Sequence, residues 1–76
     1  MKYIIVRENG IDCAVVFSEL LSHSQVAVGF EGRVVAAGMT QFPFPTPYTY
    51  GKSVTLGKNS LPGDEKTILE TLSYVT

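Results

Sequence analysis

The patterning of this chain predicts an α+β domain: an antiparallel sheet of four to five strands, started by an N-terminal β-hairpin, with one C-terminal α-helix packed on it. Three observations carry that prediction. Two β-prone runs are joined by Asn9-Gly10, two more strand-like runs lie between residues 26 and 42, and an apolar stripe at helical spacing closes the sequence. The 76 residues make one domain, 1–76, and a composition of 45% hydrophobic against 17% charged residues is too apolar for disorder.

The hairpin is the strongest local signal. Lys2 to Glu8 and Ile11 to Phe17 flank Asn9-Gly10, the favoured dipeptide of a two-residue type I′ turn. A loop of that length fixes the register, so Arg7 should face Asp12, Val6 face Cys13, Ile4 face Val15 and Lys2 face Phe17. Side chains alternate along a strand, which gives two faces. Ile4, Val6, Ile11, Cys13, Val15 and Phe17 form the expected core face. The other face carries Tyr3, Ile5, Ala14 and Val16, too apolar for a solvated surface, so either another part of the chain covers it or a partner does.

Ser18 to His23 follows as a single capped turn at most. Val26 to Phe30 and Arg33 to Phe42 read as strands around a Glu31-Gly32 turn, with the small Ala36-Ala37-Gly38 stretch marking a bulge or a close approach. In Phe42 to Tyr50, Pro43, Pro45 and Pro47 share one parity. The segment reads as an edge strand with its missing N–H groups along one side, or as a polyproline-like surface loop. Ser53 to Leu56 reads as a short strand. Ser60 as N-cap, Pro62 in the first turn and Asp64-Glu65 at the positive end of the dipole open the final helix. Its stripe, Ile68, Leu69, Leu72 and Val75, is expected to pack on the core face.

Composition removes several function classes. A domain this small buries only about 60% of the surface its unfolded chain exposes and usually needs extra support. Cys13 is the single cysteine, so no internal disulfide forms, and a lone reduced thiol fits a cytoplasmic location. One cysteine and one histidine, His23, give no zinc-type cluster. Self-association is the support that remains. No run approaches the roughly 20 apolar residues of a membrane span. With a net charge of −1 and its six basic residues scattered, the chain lacks a nucleic-acid footprint.

No catalytic, cofactor-binding or metal-binding residue is expected. Gly51-Lys52-Ser53 resembles the end of a phosphate-binding loop, but Thr46 stands where the earlier glycine belongs and a strand, not a helix, should follow. Ser22-His23-Ser24 sets hydroxyls beside an imidazole without an orienting third group, which fits turns and caps better than a nucleophile with its base. Cys13, opposite Val6 on the core face, reads as a buried hydrophobe.

The aromatic–proline segment has three readings: an extension of the core, a protein interface, or a platform for stacking bases. The opening Tyr3-Ile4-Ile5-Val6-Arg7, then Val15-Val16-Phe17-Ser18-Glu19 into Leu21-Ser22-His23, Val34-Val35-Ala36-Ala37-Gly38, and Gly51-Lys52-Ser53 before Leu56-Gly57 resemble a loose group of short, functionally uncharacterised proteins encoded in bacteriophages and prophages. That resemblance implies a phage or bacterial cytoplasm and brings no catalytic residues. The expected function is a non-enzymatic interaction protein acting as a homo-oligomer, a phage accessory factor or an inhibitor of a host protein. Its contacts would be Tyr3, Ile5 and Val16 on the hairpin and Phe42, Phe44, Tyr48 and Tyr50 beyond it. The alternative is a single-stranded nucleic-acid-binding module using Tyr48, Tyr50, Lys52 and Lys58, and a small enzyme relying on His23 stands third.

Overall fold

The computed structural model of the chain describes residues 1–30, 32–41 and 48–73. Strands β1 (Lys2–Glu8) and β2 (Ile11–Phe17) form the N-terminal hairpin in the expected register, Arg7 opposite Asp12 through Lys2 opposite Phe17. Asn9 and Gly10 both take positive φ, 54° and 77°, the handedness that a type I′ turn demands. Strand β3 (Val34–Gln41) runs along the other side of β1, and β4 (Tyr48–Tyr50) completes an antiparallel sheet in the order β2-β1-β3-β4. With neighbours on both sides and cover on both faces, β1 buries four consecutive residues, Tyr3, Ile4, Ile5 and Val6.

Two corrections concern the middle of the chain. Val26 to Phe30 is not a strand: α1 (His23–Ala27) runs into a 3₁₀ turn, Val28–Phe30. Ser22 caps this helix reciprocally with Gln25. The Ser22 hydroxyl accepts from the Gln25 N–H at 3.1 Å, and the Gln25 side-chain oxygen accepts from the Ser22 N–H at 2.7 Å. That capping box outweighs the strand preference of Val26 and Val28. Ser18 closes a turn, accepting from the Leu20 N–H, and starts no helix.

A bulge lies where Ile5 pairs with Ala36 but Val6 pairs with Val34, leaving Val35 as the extra residue. Val35 and Ala36 thereby share one face of the sheet with Tyr3 and Ile5, while Val34 and Ala37 share the other with Ile4 and Val6. The close approach that the small residues implied is at Gly38. A Cβ there would stand 2.6 Å from the Tyr50 carbonyl oxygen and 3.3 Å from the Tyr3 ring. After β4, Gly51 turns with φ of 78° into a two-stranded ribbon, β5 (Lys52–Ser53) and β6 (Lys58–Asn59), which packs beside β3. The strand expected over Ser53 to Leu56 is therefore shorter: Val54 to Gly57 form the ribbon's turn.

Helix α2 (Asp64–Ser73) begins later than Ser60. The Asp64 carboxylate accepts from the Leu61 N–H at 2.8 Å, and the chain enters the helix through Gly63 at φ 94°. The helix also packs on the face opposite the expected one. Ile68 is fully buried against Tyr3, Ile5, Ala14 and Ala36. Leu69 and Leu72 lie at the margin, 40% and 39% exposed, and Val75 falls outside the described residues. Both hairpin faces are apolar, so hydrophobicity alone did not distinguish them. A polar contact marks the face α2 occupies: the Tyr3 hydroxyl donates to the buried Asp64 carboxylate at 2.5 Å, in the helix's first turn. Burial, reinforced by Asp64, pushes the Tyr3 phenol well above its ordinary pKa.

The face expected to be the core is covered by the smaller element. Helix α1 and its 3₁₀ turn bury Ile4, Val6, Phe17 and Ala37 with help from Leu56 of the ribbon turn. Five helical residues do not reach the turn end of the hairpin. Ile11, 65% exposed, and Cys13 are consequently on the surface, contrary to the expected burial.

Candidate functional site

Tyr3 and Ile5, expected as contact residues, are 0% and 1% exposed beneath α2. Val16 is half-buried against the same cluster. The cover for that hairpin face comes from within the chain, which removes Tyr3 and Ile5 as a docking surface of the folded molecule. Phe42 and Phe44 lie outside the described residues. Tyr48 and Tyr50 are on the surface, 45% and 41% exposed.

These two tyrosines project from the same side of β4, their ring centroids 5.8 Å apart and their planes 31° from parallel. Gln41, opposite Tyr48 in the sheet, holds them: it accepts from the Tyr48 hydroxyl at 2.6 Å, and its amide lies 3.5 Å from the Tyr50 hydroxyl. Alternation along β3 puts Met39 and Gln41, and with them the tyrosines, on the face that α1 covers only in part. The intervening Thr49 points the other way, and its N–H donates to Glu65 of α2 at 3.1 Å. The backbone N–H of Glu65 itself, and then the hydroxyl and N–H of Thr49, hold the Glu65 carboxyl below the usual carboxylate range, against partial desolvation. Lys52, immediately beyond the pair, is exposed, and its ammonium has no hydrogen-bond or ion-pair partner among the described residues.

The same partly covered face carries a cleft of about 380 Å³ that sequence reasoning missed. Its walls are α1 with the 3₁₀ turn (Ser24, Ala27, Val28), the start of β3 (Val34) and the ribbon (Leu56, Lys58). The sequence signal that would have revealed it is Ser22 with Gln25 three residues on: read as a capping box, it starts a helix at His23 and makes a strand over Val26 to Phe30 untenable.

The remaining chemical candidates are placed in structural roles. His23 is buried, its Nε2 2.8 Å from the Gly38 carbonyl oxygen and its ring edge-on to Phe17 at 5.6 Å. Its neighbours Ser22 and Ser24 lie 3.1 Å apart, oxygen to oxygen, within the helix cap. Gly51-Lys52-Ser53 leads into an antiparallel ribbon, so no helix N-terminus is presented to a phosphate. Among the described residues, no group of three His, Cys, Asp or Glu side chains stands close enough to hold a metal ion, and no helix is long and apolar enough to cross a membrane. Every buried side-chain nitrogen or oxygen among them has a hydrogen-bond partner.

The fold and surface therefore define a small α+β domain with one face of its sheet closed and one left partly open. Neither a protein-family model, nor a curated protein, nor a solved structure matches the chain.

Proposed function

We propose that this chain is a non-enzymatic interaction protein that binds a protein partner, in the first instance a second copy of itself, through Tyr48 and Tyr50. One observation carries the reading. Two aromatic rings are held side by side on an exposed strand by a shared glutamine, a prearranged apolar surface at little further entropic cost. Tyrosine is enriched at the energetic centres of interfaces because it buries a large, stiff ring and retains a polar tip. The sequence resemblance to phage and prophage proteins supports a bacterial host protein as the further partner.

Native mass spectrometry with light scattering tests this on the wild type and a Tyr48→Ser/Tyr50→Ser variant. A defined oligomer that becomes monomeric in the variant, with circular dichroism unchanged, is the expected result. A monomeric wild type, or an oligomer indifferent to both substitutions, overturns the homo-oligomer reading.

A second reading has one observation in its favour, the exposed Lys52 two residues beyond Tyr50. Single-stranded nucleic acid stacked on Tyr48 and Tyr50 would then bind more weakly as salt rises. Absence of binding at low salt eliminates it.

A further inference from the structure

We propose that the cleft between α1 and the β5–β6 ribbon binds a small amphipathic monocarboxylate, an aliphatic chain ending in a carboxylate, independently of the tyrosine pair. Its volume of about 380 Å³ falls within the roughly 300–1,000 Å³ of small-molecule sites. Ala27, Val28, Val34 and Leu56 supply an apolar lining suited to a hydrocarbon chain. Val28 is 76% exposed on the rim and gains most from being covered.

Charge selects the head group. Two cations lie near this end of the molecule, and one is already committed: Arg33 donates to Glu8 at 2.5 Å and to the Gly29 carbonyl at 3.0 Å, and stacks over Phe30. Lys58 is on the cleft wall, and its ammonium has no hydrogen-bond or ion-pair partner among the described residues. A carboxylate would give its ammonium a charge-assisted hydrogen bond. The Ser24 hydroxyl, a second polar group in the lining, is already 3.1 Å from the Ser22 hydroxyl, so Lys58 carries the charge preference. A neutral ligand would leave Lys58 as it is, and a cationic one would be repelled.

The test is a titration of isotope-labelled protein with octanoate and, separately, with octanol, followed by amide chemical shifts. Saturable shifts are expected at Ser24–Val28, Val34 and Leu56–Lys58, with octanoate binding about threefold tighter than octanol, the scale of one solvent-exposed ion pair. Lys58→Met should lower octanoate affinity to the octanol level and leave octanol unchanged. The Tyr48→Ser/Tyr50→Ser variant should bind octanoate like the wild type, which separates this site from the oligomer reading. Equal affinity for acid and alcohol, shifts centred elsewhere, or no saturation overturns the proposal.

Discussion

The two faces of the sheet are covered in different ways. On one, α2 lays ten residues across the strands and brings a fully buried isoleucine, a buried tyrosine–aspartate hydrogen bond and side-chain contacts to both outer strands. On the other, five helical residues and a ribbon turn cover the middle and leave Cys13, Ile11, Val28 and the tyrosine pair on the surface. Both candidate binding features are on the second face. A small domain must bury one face well to fold at all, which leaves the other free to carry surfaces that folding alone would not select.

If that division is right, the largest loss should come from the closed face. Ile68→Ala removes a side chain with no exposed surface and should cost about 2–5 kcal/mol in denaturant unfolding. Leu56→Ala on the open face, only half-buried, should cost less than half as much, and equal losses would dissolve the comparison.

Tyr3→Phe comes next, because Asp64 stays buried with one donor fewer, at about 1–3 kcal/mol. Its pH dependence sharpens the point. A phenol whose folded pKa is raised contributes stability that is complete below its unfolded value, near pH 10, and is lost as pH climbs toward the folded one. The wild type should therefore lose stability between neutral pH and pH 11 more steeply than Tyr3→Phe, measured by urea midpoints across that range. Parallel curves would mean that Tyr3 ionises as freely in the folded state as in the unfolded one.

The smallest effect belongs to the open face. Ser22→Ala removes one half of the α1 capping box and should cost about 1 kcal/mol. Amide exchange should quicken at residues 25–30 with little change in β1 or α2. A spread of that effect into α2 would show the two faces to be one cooperative unit.

Much of this architecture was legible in the residues. Asn9-Gly10 defined the hairpin and its register because a type I′ turn needs left-handed backbone at both central residues, which Asn and Gly tolerate best. Ala36-Ala37-Gly38 announced a crowded strand, and Ile68 announced the final helix. What escaped had specific causes. Ser22 and Gln25 encode a helix start in two side chains, a weaker statistical mark than the β-branched Val26 and Val28 that follow. The side chosen by α2 was hidden because Tyr3-Ile4-Ile5-Val6 is apolar at every position, so alternation could not discriminate. Tyr3 counted as an exposed aromatic because its partner, Asp64, lies across the whole chain. The cleft depends on where α1 and the ribbon meet, a tertiary fact that no local pattern contains.

One helix also determines how the sheet meets its neighbours. The Thr71 hydroxyl accepts the Ala14 N–H of β2 at 2.9 Å, and Glu65 accepts the Thr49 N–H of β4, so α2 occupies a backbone donor on each outer strand. In the language of polymer chemistry, a sheet with two open edges is a bifunctional monomer that grows into chains, and a sheet with one is monofunctional and stops at a pair. With α2 seated, one donor at each end carries a protecting group drawn from the same ten residues. Releasing that single element would free a donor on both ends at once, so the two edges gain reactivity together and not one after the other.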